Sequence, residues 1–187
     1  MRASAGGVIR ACLVASTLLL SGPGLAAQAA RASEYQVKAV FLFNFAQFVD
    51  WPASAFPDAT APLVIGVLGD DPFGPYLDET VRGETVRGRP LEIRRYRKIA
   101  DIGICHILFV SPSEESRLED VLANLKHRAI LTVGDGAGFA QRGGMIRFVW
   151  ERNKIRMRIN VAAAEAAQLT ISSKLLRAAD IVTPGKP

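Results

Sequence analysis

Cysteine and histidine are scarce in this chain of 187 residues: two of each, Cys12, Cys105, His106 and His127. Cys105 and His106 are neighbours in an apolar run that reads as a strand, where adjacent side chains point to opposite faces. They cannot form a thiol-imidazole dyad; the pair reads as a buried thiol and a histidine packed under a helix. His127 falls at the C-terminal end of an amphipathic helix, where its partial charge suits the dipole. Two separated histidines and one thiol make a poor metal site. A G-x-S-x-G elbow is missing too, and no Ser/His/Asp set can be assembled. Nor is there an uninterrupted apolar run of the roughly 20 residues that a membrane-spanning helix needs. The expectation is a chain with no catalytic residues, no metal and no cofactor.

The N-terminus has the form of an export leader. Arg2 and Arg10 give it positive charge, Ala11 to Leu20 is apolar, Gly22-Pro23 breaks the run, and Ala27-Gln28-Ala29 offers small residues for cleavage. Residues 1–29 are read as a cleaved signal peptide, 30–182 as a single domain and 183–187 as a flexible tail, in a periplasmic protein. The mature chain of 158 residues holds 21 basic and 18 acidic side chains. That excess is too small to imply nucleic acid. Cys105 alone survives cleavage, so an intrachain disulfide is ruled out even in an oxidising compartment.

What the chain does have is aromatic residues in one place. Tyr35, Phe41, Phe43, Phe45 and Phe48 fall within fourteen residues of the segment EYQVKAVFLFNFAQFVDWP. Apolar positions run nearly all round a helical wheel, which predicts a first helix buried on more than one side. Three apolar runs follow that read as buried strands: Leu63 to Gly69, Cys105 to Ser111 and Ala129 to Gly134. Between the last two, Ser111-Pro112-Ser113-Glu114 starts a helix of about four turns, with Leu118, Val121, Leu122 and Leu125 on its inner stripe. Strand, helix, strand makes a right-handed βαβ unit. A weaker copy precedes it, with a short helix inside Asp70 to Val81 and a strand over Arg89 to Arg97.

Met145 to Glu151 and Lys154 to Asn160 read as a hairpin about Arg152-Asn153. Asn160 then caps an alanine-rich helix expected to reach Val182. The predicted fold is an α/β three-layer sandwich: about six strands, mostly parallel, an antiparallel hairpin at one edge, and helices on both faces.

Two glycine-containing loops follow parallel strands. Gly69 to Gly74 starts like a phosphate loop but has Pro75 where lysine is needed, and Gly134 to Gly138 lacks the dinucleotide spacing. Ligands of open α/β sheets nevertheless bind beyond the strand C-termini. Asp70, Asp71, Phe73, Asp135 and Gly136 are therefore candidate ligand-binding residues, against the plainer reading of two tight turns. The basic runs Arg94 to Lys98 and Arg152 to Arg158 read either as charged sheet edges that resist aggregation or as docking patches. Arg156 and Arg158, with Phe43 and Phe45 of the first helix, are the candidate partner-binding residues.

Taken in order, the fragments Lys38 to Phe45 with Trp51-Pro52, Ile65 to Gly74, Gly88 to Leu91, Cys105 to Phe109, Leu131 to Asp135, Gly138 to Ala140, Gly143 to Ile146, Arg158 to Asn160 and Ser172 to Leu176 resemble the YfiR family of periplasmic proteins. The resemblance covers essentially the whole mature chain. It implies a non-enzymatic role: binding the periplasmic sensor region of an inner-membrane diguanylate cyclase and holding it inactive, which lowers cyclic di-GMP and biofilm output. It also implies that the protein can be a homodimer and that inhibition is relieved through an outer-membrane lipoprotein and redox state. The alternative is a stand-alone periplasmic small-molecule-binding module. One departure stands out, since members under redox control carry disulfides and this mature chain has a single cysteine.

Overall fold

The computed structural model describes residues 23–152 and 154–183. Most of the leader reading (residues 1–22) and most of the tail reading (184–187) lie outside the described residues, as does Asn153. In chain order the elements are α1 (Pro23–Phe48), β1 (Val49–Asp50), β2 (Leu63–Leu68), α2 (Pro75–Val81), β3 (Thr85–Val86), β4 (Arg89–Tyr96), β5 (Ile107–Val110), α3 (Leu118–Leu125), β6 (Leu131–Gly134), β7 (Ile146–Glu151), β8 (Lys154–Ile159), α4 (Val161–Ala166), β9 (Thr170–Ile171), α5 (Ser173–Arg177) and β10 (Asp180–Ile181). Eight strands form one mixed sheet in the order β10-β8-β7-β6-β5-β2-β4-β3. β4, β2, β5, β6 and β7 run parallel, while β7–β8 and β3–β4 are antiparallel.

The fold class expected from the sequence is therefore present, with more strands than the six anticipated. The additional ones are two-residue pieces at the two edges, too short to leave a period in the sequence. β2 is buried at every position, as a strand covered on both faces must be. On one face Ile65, Val67, Phe109, Val133, Ile146 and Phe148 pack against α1 and α2. On the other Leu68, Leu108 and Val110 pack against α3. Gly66 of β2 lies on that second face, where a Cβ would stand 2.7 Å from the Tyr96 ring and 2.9 Å from Cys105 Sγ. Only glycine fits there.

Two local expectations are corrected. The C-terminal helix does not run to Val182. Asn160 does cap it, accepting from Ala163 N–H at 3.0 Å, but Gln168 turns to positive φ and Thr170–Ile171 pairs with β1 instead. Ser172 then caps a new five-residue helix. Alanine-rich sequence is permissive for helix, but a buried Leu169 and Ile171 decide the path. The four-turn helix after Ser111 is in fact a 3-10 segment, Pro112–Arg117, followed by the two turns of α3. α1 buries Ala39, Leu42, Phe45 and Ala46 and half-buries Phe41, Phe43 and Phe48, while Val37 and Val40 are 45 % and 47 % exposed on its outer side.

Candidate functional site

β2 and β5 are neighbours in the sheet, yet their crossovers leave in opposite directions, to β4 and to β6. Their C-terminal ends form the topological switch point where open α/β sheets bind ligands. The segment of α1 from Gln28 to Tyr35 roofs this end. A cleft of about 420 Å³ opens there, lined by Arg31, Tyr35, Asp70, Pro72, Ser111 and Ser113 among others.

The loops below are tied to each other. Asp70 N–H donates to Ser113 Oγ at 2.9 Å. Asp71 accepts from Phe73 N–H at 2.7 Å through one oxygen and from Arg95 Nε at 2.7 Å through the other. Arg95 also holds Asp78 at 2.5 Å and the Gly74 carbonyl at 3.1 Å. Asp71 is thus engaged in shaping its own loop, while Asp70 is exposed. Phe73 is 1 % exposed and meets Phe109 and Tyr35 edge-on at 4.8 and 5.4 Å. It belongs to the hydrophobic core and does not line the cleft. At Gly136 the Glu115 carboxylate occupies the space a Cβ would need.

Asp135 is the centre of the polar cluster. Its Oδ2 receives the Lys38 ammonium at 2.6 Å and the Tyr35 hydroxyl at 2.8 Å. Lys38, only 3 % exposed, also pairs with Glu34 at 2.5 Å and lies over the Tyr35 ring at 4.3 Å. Burial, then the negative charge of Asp135, pushes the Tyr35 pKa upward and keeps its hydroxyl a donor. These contacts clamp the middle of α1 onto the end of β6. Tyr35 and Lys38 escaped the sequence reading because lysine in a helix is normally solvated. The available signal was position: Lys38 shares the helical stripe of Leu42 and Phe45 and lies four residues after Glu34.

The candidate partner residues scatter. Phe45 is fully buried and Phe43 half-buried against the same core. Arg156 is exposed, and half-buried Arg158 donates to Glu151 at 3.0 Å. In the other basic run, Arg94 is forked onto Glu92 and Arg95 onto Asp78, leaving Arg97 and Lys98 exposed.

The strand expected from Cys105 starts only at Ile107, so Cys105 and His106 immediately precede β5, and Cys105 packs in the α3 cluster. His106 lies beneath Trp51 and Phe56 at the end of the 3-10 helix Ala53–Ala55, stacked on Phe56 at 4.2 Å. Its Nδ1 accepts from Val64 N–H at 3.0 Å, so Nε2 carries the proton and donates to the Ala55 carbonyl at 3.2 Å. Burial lowers its pKa to about 4 and pushes the Cys105 thiol up to about 12. Both groups are therefore neutral at pH 7. A histidine whose folded pKa lies below its unfolded value near 6.5 contributes fully above pH 6.5. That contribution is lost as pH falls toward 4 and totals about 3 kcal/mol at about 1.4 kcal/mol per pKa unit. Measured by urea unfolding, the stability lost between pH 7.5 and 4 should be larger in the wild type than in His106→Gln by about that total; equal losses would refute the buried neutral imidazole.

Among the described residues no cluster of three or more His, Cys, Asp or Glu could hold a metal ion, and no helix is long and apolar enough to cross a membrane. No curated protein matches the chain. The model of the YfiR/HmsC-like family matches residues 35–180, from the tyrosine of the clamp to the first residue of β10. On that match the chain belongs to the YfiR/HmsC-like family, regulators of diguanylate cyclases that are generally not enzymes.

Proposed function

We propose that the protein is a periplasmic repressor that binds the periplasmic sensor region of an inner-membrane diguanylate cyclase and lowers cyclic di-GMP. The observation that carries this reading is the family match over residues 35–180. The mechanism is a population shift: binding the inactive conformation of the sensor more tightly than the active one draws the equilibrium toward it. A tenfold lower active fraction needs about 1.4 kcal/mol of differential affinity, within reach of an ordinary interface. A leader over residues 1–29 takes the chain to the periplasm, where a homodimer and an outer-membrane lipoprotein are the further partners that the family suggests. Intrachain disulfide control is not carried over, because Cys105 is buried and alone.

Deleting the gene and measuring cyclic di-GMP in the cell tests the proposal. The expected result is a rise in cyclic di-GMP and biofilm that the intact chain reverses. Unchanged levels, together with a metabolite that raises the melting temperature of the purified protein, would favour the second reading, a small-molecule-binding module. The cleft at the switch point, bounded by Asp70 and roofed by Tyr35, is what supports that alternative.

A further inference from the structure

One face of the β7–β8 hairpin points away from α1 and carries Arg147, Val149 and Glu151 on β7 with Lys154, Arg156 and Arg158 on β8. Register sets Arg147 directly opposite Arg158, Val149 opposite Arg156 and Glu151 opposite Lys154. Like charges directly opposite one another destabilise a sheet. Of the two carboxylates on this face, Glu151 bonds Arg158 at 3.0 Å, and exposed Asp180, beside Arg158 in β10, makes no ion pair with it. On the two hairpin strands and β10, four cations therefore face two anions; Glu115 and Asp135, which lie near Arg147, are already paired with Arg142 and Lys38.

Arg147 is the unusual member. Its Nε is buried and has no hydrogen-bond partner among the described residues. Asp135 and Glu115 are near enough to favour its charge, yet burial and the neighbouring Arg158 oppose it more strongly. Asp135 Oδ1 is likewise buried and without a donor. The apolar cluster on this side of the sheet, built around α3, includes no residue of β7 or β8. A half-buried guanidinium set against another one, on a face that the α3 cluster does not reach, is a cost to the free protein that an incoming anion would offset.

We propose that this hairpin face is the docking surface for an acidic segment of the protein that the chain regulates, with one Asp or Glu carboxylate entering between Arg147 and Arg158. The proposal deepens the repressor reading, since it names the chemistry of the partner's contact. Planar guanidinium forks match carboxylates in pairs, which a flexible lysine cannot do. Half-buried Val149 beside them supplies an apolar contact, and exposed Arg156 and Lys154 supply the rim that steers the encounter. Arg147 is half-buried while Lys154 and Arg156 are exposed, so the guanidinium lies below the rim, which suits a single protruding carboxylate better than a flat anionic bilayer.

The mature chain titrated at low salt with a fluorescent Asp/Glu-rich peptide tests this. Binding should weaken as salt rises and fall about tenfold or more in Arg147→Gln/Arg158→Gln. It should stay unchanged in Arg97→Gln/Lys98→Gln, where two exposed cations lie outside the hairpin. Arg147→Met, which keeps the aliphatic stem, should melt at the same temperature or a few degrees higher, because it removes the like-charge pair. Equal peptide binding by the double glutamine variant, a lower melting temperature for Arg147→Met, or a preference for phosphatidylglycerol vesicles over the peptide would each overturn the proposal. Unchanged cyclic di-GMP in the deletion strain would remove the repressor reading and leave the titration result in force. A positive deletion result with a failed titration would place the repressor's contact on another face.

Discussion

Replacing Phe45 by alanine should cost about 4 kcal/mol of folding stability, the usual range for a buried phenylalanine being about 3–5. The side chain is fully buried, stacked on Phe148 at 5.8 Å and tilted against Phe41 at 6.3 Å. Through Phe148 it ties α1 to the hairpin, so the cavity would open between two layers that cannot easily collapse toward each other. For a domain of this size each kcal/mol moves the melting temperature by about 2–4 °C, which gives a drop of roughly 8–16 °C. Phe43→Ala, at a half-buried position, should cost about 1–2 kcal/mol and remain folded. Thermal melts of the two variants check the contrast. Equal effects would mean that the outer side of α1 is covered by something other than this domain, such as a second copy or a partner. The same comparison decides how any loss of regulation should be interpreted: with Phe45→Ala it reports unfolding, and with Phe43→Ala it reports contact.

The strands and the hairpin were legible because each has a short-range cause. β2, β5 and β6 are continuous β-branched or aliphatic runs bounded by glycine, proline or charge, and the two hairpin arms alternate with period two about Arg152. The capping residues Ser111 and Asn160 were legible for the same reason, since a cap acts over three residues. The path after Ala166 was not. Alanine and leucine favour helix locally, and the break at Gln168 exists because Ile171 finds Val49 across the two-stranded ribbon, a pairing some 120 residues away in sequence. Propensity has no access to a partner at that distance.

The candidate site was half legible. The rule that ligands gather beyond parallel strand ends brought Asp70, Asp71, Phe73, Asp135 and Gly136 to one end of the sheet, and the structure keeps them there. Their roles could not be read in the same way. Phe73 and Asp71 serve the fold of the loop, and the partners of Asp135 come from a helix about a hundred residues earlier. A lysine within an apolar segment, as at Lys38, argues against a membrane helix but carries no information about where its ammonium goes.

That buried ammonium sets the last expectation. Asp135→Ala should destabilise the protein by about 3 kcal/mol, because it leaves Lys38, 3 % exposed, with Glu34 alone, and removes the acceptor of the Tyr35 hydroxyl. Lys38→Met should cost less. It fills the same volume with apolar atoms beside the Tyr35 and Phe148 rings, and Asp135, at 11 % exposure, keeps the tyrosine donor. The double variant Lys38→Met/Asp135→Ala should lie closer to the wild type than Asp135→Ala does, since no buried charge is left unpaired. Chemical unfolding of the four proteins gives the coupling energy directly. If the two substitutions simply add, Lys38 and Asp135 do not stabilise each other and the clamp on α1 is only geometric. A strong coupling would mean that the roof over the strand ends is held by one ion pair. Alanine at Asp135 should then also raise hydrogen exchange in the Gln28 to Tyr35 segment of α1, next to the cleft, ahead of global unfolding.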